Sequence, residues 1–125
     1  MRTSEFKKYL DDQISADVFF EKIREEVANY SLLMKRKGAS ISLNFEEDQI
    51  ITLSINNLIK IVKDIHLNQV DPSAISYICD CLTLADGVNY ETEAARELVY
   101  EFADPEINGG FKSREDLKII LDRYK

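Results

Sequence analysis

Histidine, cysteine and glycine are scarce in this chain of 125 residues, which contains one, two and four of them and no tryptophan. The single histidine, His66, leaves no setting for Ser-His-Asp chemistry unless both partners meet it by chance, and the glycines form no phosphate-binding motif. Cys79 and Cys81 are too few for a disulfide framework, and their spacing fits neither a redox pair nor a zinc site. These scarcities predict a protein without catalytic activity, cofactor or bound metal.

Long apolar runs are also missing. None approaches the roughly 20 residues that a membrane-spanning helix needs, and the first residues reach Asp11 and Asp12 without the apolar core of a secretory signal. We therefore expect a cytoplasmic protein that contacts no membrane. The length of the chain and its hydrophobic content of 45% predict one globular domain over residues 1–125.

Basic residues number 16 against 23 acidic ones, a net charge of −7 that argues against a nucleic-acid partner. The excess is concentrated in one part of the chain. Between Asp71 and Gly110 there are nine acidic residues and one base, Arg96, so this third of the chain carries −8 and the remainder +1. Such a segment forms either a solvated acidic surface or a patch that meets a basic protein partner.

Apolar residues recur with the helical period over most of the chain. The pattern predicts a short helix over 6–10, helices over about 15–30, 54–68 and 91–103, a helix that starts at Asp71–Pro72 and ends before the turn at Asp86–Gly87, and a last helix starting at Ser113. Ser113 and Asp116 have the spacing of a capping box. Asp71 is the predicted N-cap of its helix, with Pro72 at the first helical position. The expected fold class is α+β, mainly helical, with five or so packed helices.

One segment alternates with a period of two. Ile41, Leu43 and Phe45 alternate with polar residues, and Ile51 and Leu53 do so again after the acidic stretch 46–48. This alternation predicts one small antiparallel β-hairpin over about 40–54. A helix capped near residue 44 or 47 is the alternative, although the residues at 52, 54, 56 and 57 are poor helix formers.

The acidic helix predicted over 91–103 is the strongest functional candidate. Glu93, Glu97 and Glu101 follow one another at i, i+4 spacing on the side opposite the apolar residues, and like charges at that spacing weaken a helix by a few tenths of a kcal/mol per pair. A local cost without a local benefit is typical of a functional surface, although a plain solvated face is the alternative. The predicted partner-binding residues are Asp86, Tyr90, Glu93, Glu97, Tyr100, Glu101 and Asp104, the tyrosines being typical interface anchors.

Three segments carry a resemblance to a known family: ISYICDCLTL at 75–84, VNYE at 88–91 and ADPEINGG at 103–110. Over about half of its length the chain resembles bacterial toxin-immunity proteins, the small antidotes of polymorphic and contact-dependent inhibition toxins. The resemblance implies a protein made beside its cognate toxin, which binds the toxin domain and blocks its active site or substrate surface. Many such toxins are nucleases with basic clefts, which an acidic antidote can fill as a phosphate mimic.

The resulting hypothesis is an immunity protein that neutralises a toxin C-terminal domain with a basic surface by stoichiometric occlusion, without catalysis. The alternative is a helical adaptor or regulatory domain that binds an unrelated protein, and an enzyme is the third possibility. A toxin reading frame beside the gene would separate the first two. A carboxylate pair or metal in a cleft would favour the third.

Overall fold

The computed structural model describes residues 1–34, 43, 45–103, 105 and 110–124 of the chain. Over these residues the fold is mainly helical with a small sheet, which confirms the predicted class at that level. The elements in chain order are α1 (Thr3–Leu10), α2 (Ala16–Met34), β1 (Ile51–Leu53), α3 (Ile55–Leu67), α4 (Ser73–Leu84), β2 (Val88–Tyr90), α5 (Glu93–Phe102) and α6 (Arg114–Arg123).

Capping residues determine where several helices begin. The Ser113 hydroxyl accepts from the Asp116 N–H at 3.1 Å and the Asp116 carboxylate accepts from the Ser113 N–H at 2.9 Å, so the predicted capping box is confirmed. At α4 the prediction is displaced by one residue. Pro72 is the N-cap, and the Asp71 carboxylate accepts from the Ser73 N–H at 3.0 Å from outside the helix.

Helix α4 lies at the centre of the core. All of its residues from 73 to 82 are buried, and it contacts α2, α3 and α5. Asp80 is the buried acid of this helix, and it accepts a hydrogen bond from the Tyr30 hydroxyl, which offsets part of its desolvation. In the predicted apolar stripes of the surrounding helices, Ile55 and Ile59 of α3 are half-buried. The other stripe residues are buried in the same core: Phe19, Ile23, Val27, Tyr30, Leu58, Val62, Ile65, Ala95, Leu98, Val99 and Phe102.

The predicted antiparallel hairpin over 40–54 is wrong. Its second arm does form a strand, β1, but that strand pairs in parallel with β2, with Ile51 opposite Val88 and Leu53 opposite Tyr90. Parallel strands need a long crossover, which α3 and α4 supply here. Phe45 belongs to no strand, and residues 41, 42 and 44 of the predicted first arm lie outside the described residues.

The acidic stretch 46–48, which would have been the hairpin turn, anchors the chain instead. Its carboxylates each accept a hydrogen bond from a distant part of the chain: Glu46 from Arg2 Nε (2.9 Å), Glu47 from the Gly87 N–H (2.9 Å) and Asp48 from the Ser4 N–H (2.8 Å). These contacts join the stretch to α1 and to the residue before β2. As a result β1 enters the fold beside β2.

Candidate functional site

The acidic helix is α5, and its local sequence fixes both its start and its orientation. The Thr92 hydroxyl accepts from the Ala95 N–H at 3.2 Å and caps the first turn. The predicted apolar side of the helix is buried against α4 and α3. Because that side is packed in the core, the orientation of the helix is fixed and Glu93 and Glu97 are exposed to solvent.

The row of glutamates divides into two kinds. Glu93 and Glu97 are exposed one turn apart, and neither has an ion-pair partner within the part of the chain that the structure describes. Glu101 accepts two hydrogen bonds from Arg123 of α6, Nη1 to Oε2 at 3.0 Å and Nη2 to Oε1 at 3.2 Å. This pairing raises the pKa of the Arg123 guanidinium. Glu101 therefore links α5 to α6, and the predicted row of three uncompensated carboxylates is a row of two.

Two tyrosines accompany these carboxylates. Tyr100 is 47% exposed, and the guanidinium carbon of Arg96 lies 5.5 Å from its ring centre in a cation–π arrangement. Tyr90 is half-buried at the end of β2, where burial and the nearby Tyr100 raise its pKa to about 12, so its hydroxyl stays neutral. Arg96 is the single base of the acidic segment, and it stacks on a tyrosine.

A groove of about 470 Å³ runs between the end of α4, strand β2 and the start of α5. It brings together three of the predicted site residues, Tyr90, Glu93 and Tyr100, with Arg96 between them. Glu97 lies outside the lining, one helical turn beyond Glu93 on the same exposed side. The groove therefore combines aromatic walls with an acidic rim, which suits the binding of a cationic protein surface.

Two further predicted residues, Asp86 and Asp104, are not among the described residues that line the groove. Asp86 is exposed at the turn between α4 and β2 but does not line the groove, and Asp104 lies outside the described residues. Two exposed apolar side chains near this turn were missed: Leu84 is 72% exposed, and Ile50, which lies beside Gly87, is 75% exposed. Leu84 lies beyond the part of α4 that is buried, residues 73–82.

A second groove, of about 430 Å³, lies between α2 and the connection from α3 to α4. Its floor includes Phe20, Val27 and Ala74, and its lining exposes more apolar than polar surface. On its rim, Arg24 and Glu21 of α2 pair with each other at 3.3 Å. Its rim charge is therefore partly satisfied within the chain, and the groove at α5 is the stronger candidate for a cationic partner.

Metal binding, thiol reactivity and membrane crossing each require particular residues. The described residues include no group of three or more histidine, cysteine, aspartate or glutamate side chains placed to hold a metal ion. Cys79 and Cys81 are fully buried, and burial raises the pKa of both thiols, that of Cys81 to about 12. Among the described helices none has the length and apolar character to cross a membrane. No protein-family model, curated protein or solved structure matches the chain.

Proposed function

We propose that this chain is an immunity protein that acts in the bacterial cytoplasm, where it binds a basic surface on a cognate toxin domain and neutralises the toxin by stoichiometric occlusion. The observation that supports this best is the pair of exposed carboxylates, Glu93 and Glu97, which lie beside Tyr100 on a well-capped helix and have no ion-pair partner among the described residues. The resemblance of segments 75–84, 88–91 and 103–110 to toxin-immunity proteins supports the choice of partner.

The electrostatics of α5 favour a cationic partner. Two glutamates one turn apart repel each other by a few tenths of a kcal/mol, and no ion pair within the described chain relieves them. A lysine or arginine on a partner converts this repulsion into attraction. Charge complementarity of this kind acts mainly on the rate of association and on the choice of partner.

A nuclease is the class of toxin that this surface suits best. Nuclease clefts bind phosphates with lysine and arginine, and a row of carboxylates can occupy the same cations. The β-carbons of Glu93 and Glu97 are about 5–6 Å apart, as for any i, i+4 pair. Tyr100 beside them adds an aromatic surface that can pack on the cleft wall.

The proposal is tested with the toxin domain encoded by the reading frame beside this gene. We expect the two proteins to co-purify, and toxin activity to fall linearly to zero at about one antidote per toxin. Inhibition that continues at strongly substoichiometric amounts would indicate turnover and therefore an enzyme. Failure to bind the neighbouring protein, with binding to an unrelated one, would favour the adaptor.

A further inference from the structure

Strand β2 has an outer edge with no neighbouring strand among the described residues. Its bonds to β1 include these two: the Ile51 N–H to the Gly87 carbonyl at 3.0 Å and the Glu91 N–H to the Leu53 carbonyl at 2.8 Å. In a parallel pair, alternate residues face the partner strand, so residues 87, 89 and 91 face β1. The backbone N–H and C=O groups of Val88 and Tyr90 point outward, and within the described chain they have no hydrogen-bond partner.

The groove at α5 follows this edge. All three residues of the strand, 88–90, line it, and so do the next three, which lead into α5. Side chains along a strand alternate between its two faces, so a groove on one face would be lined by every second residue of the strand. Lining by consecutive residues places the groove along the backbone edge itself. The groove therefore borders the edge of β2 that carries the outward backbone groups of Val88 and Tyr90.

The charges that line the groove indicate whether it binds a positively or a negatively charged segment. Helix α4 ends there and α5 begins there, so the partial charges of the two helix ends oppose each other. The formal charges then decide. Glu91 and Glu93 are acidic, and the one base in the lining, Arg96, is stacked on Tyr100. The groove is thus complementary to positively charged side chains.

We propose that an extended basic segment of the partner adds to the outer edge of β2 as a third strand. Its main chain bonds to Val88 and Tyr90, and its lysine or arginine side chains lie near Glu91 and Glu93. This inference rests on the proposed function only in assigning the segment to the toxin domain. A helical segment is a poorer fit because its backbone groups are already bonded within the helix and cannot pair with the edge.

The test uses a peptide and does not need the toxin. The probe is a synthetic octapeptide of alternating lysine and threonine, and its control carries N-methyl groups on alternate residues, so that one edge cannot pair. At a free peptide concentration ten times its Kd, we expect amide hydrogen exchange at Val88 and Tyr90 to slow about tenfold, because only the unbound fraction exchanges. The Asn89 amide, which faces β1, should change little.

Val88→Pro removes one outward N–H and leaves the bonds to β1 in place, since proline is tolerated on an edge strand. Val88→Ala is its matched control, because it shortens the side chain and keeps the N–H. The proline variant should lose peptide binding and the alanine variant should keep it. If the proline variant does not fold, the comparison of the two peptides on the parent protein decides.

The inference is overturned if the peptide does not bind, if the N-methylated peptide binds equally well, or if Val88 and Tyr90 show no slowed exchange. Binding of the peptide without any binding of the toxin domain leaves the edge as a docking site and removes the proposed function. If the toxin domain binds but the peptide does not, the proposed function stands and the docking site on the edge of β2 is refuted. The two proposals can therefore fail separately.

Discussion

Replacing Glu93 and Glu97 together by glutamine removes two charges from the exposed side of α5 and leaves its buried side unchanged. The stability of the fold should hardly move, because two small effects oppose each other. Relief of the i, i+4 repulsion gains about 0.2–0.5 kcal/mol, whereas loss of the Glu93 charge in the first turn costs about 0.3–1 kcal/mol. We expect the free energy of unfolding to stay within about 0.5 kcal/mol of the parent.

Association with the proposed toxin partner should change much more. A partner cation about 5 Å from a carboxylate is attracted by about 0.8 kcal/mol in bulk water, and at 0.01 M salt, where the Debye length is about 30 Å, most of that remains. Losing two such interactions should lower the association rate constant about tenfold. At 1 M salt, where the Debye length is about 3 Å, the loss should shrink to less than about twofold.

Stopped-flow association measured across this salt range tests the prediction. The control for net charge is Glu21→Gln with Glu25→Gln on α2. These two exposed acids have the same i, i+4 spacing and their replacement makes the same charge change, although Glu21 also pairs with Arg24. The control should associate at nearly the parent rate. Equal losses in both variants would mean that only net charge matters, and no loss at 0.01 M salt would refute the assignment of the interface to α5.

Three further predictions concern the folded chain. Hydrogen bonds from Ser4 and then Thr3 lower the pKa of Asp48 to about 2 from 3.8. The stability that this carboxylate contributes should therefore be present above about pH 4 and be lost as the pH falls toward 2. In urea denaturation, Asp48→Asn should be less stable than the parent at pH 7, and the difference should vanish below about pH 2. Thr92→Ala should cost about 0.5–2 kcal/mol in thermal unfolding because it removes the N-cap of α5. Cys79 and Cys81 should resist a thiol reagent at pH 8 until the chain unfolds, and rapid labelling of the native protein would contradict their burial.

Local signals predicted most of the helical fold. The apolar spacing of Ala95, Leu98 and Phe102 fixed the buried side of α5, and the pairing of Ser113 with Asp116 fixed the start of α6, because both depend on residues within one or two turns. The exposure of Glu93 followed directly from the buried side. These predictions succeeded because the information lies within a few residues.

The sheet could not be predicted in the same way. Strand β2 has three residues between the turn at Gly87 and the N-cap Thr92, which is too few to show a period. Its partner, β1, is separated from it by two helices, so the pairing depends on how α3 and α4 pack. The sequence pattern near β1 favoured a hairpin with the neighbouring segment. In the folded chain, β1 pairs in parallel with β2 instead, and the hydrogen bonds of Glu47 and its neighbours to distant residues hold it there.

The ion pair of Glu101 with Arg123 was missed for a related reason. The two residues are 22 positions apart, and they meet only because α6 returns beside α5. The sequence shows that both are charged, but it does not show which acid Arg123 reaches. The predicted site therefore included a carboxylate that has a structural role, and its substitution by glutamine should lower stability by about 0.2–1 kcal/mol, as for other exposed ion pairs.

Internal pairing is what separates the acids that can meet a partner from those that cannot. Asp48 and Glu101 already accept hydrogen bonds from the chain, and Asp80 is buried against Tyr30, so a partner could recruit them only at the expense of those bonds. Glu93 and Glu97 have no such bond to another described residue that a partner would have to break. A net charge therefore overstates the attractive surface of a folded acidic protein. The attraction that remains is centred on the exposed side of α5 and the adjacent edge of β2, where the side-chain charges and the unpaired backbone groups can act on the same partner.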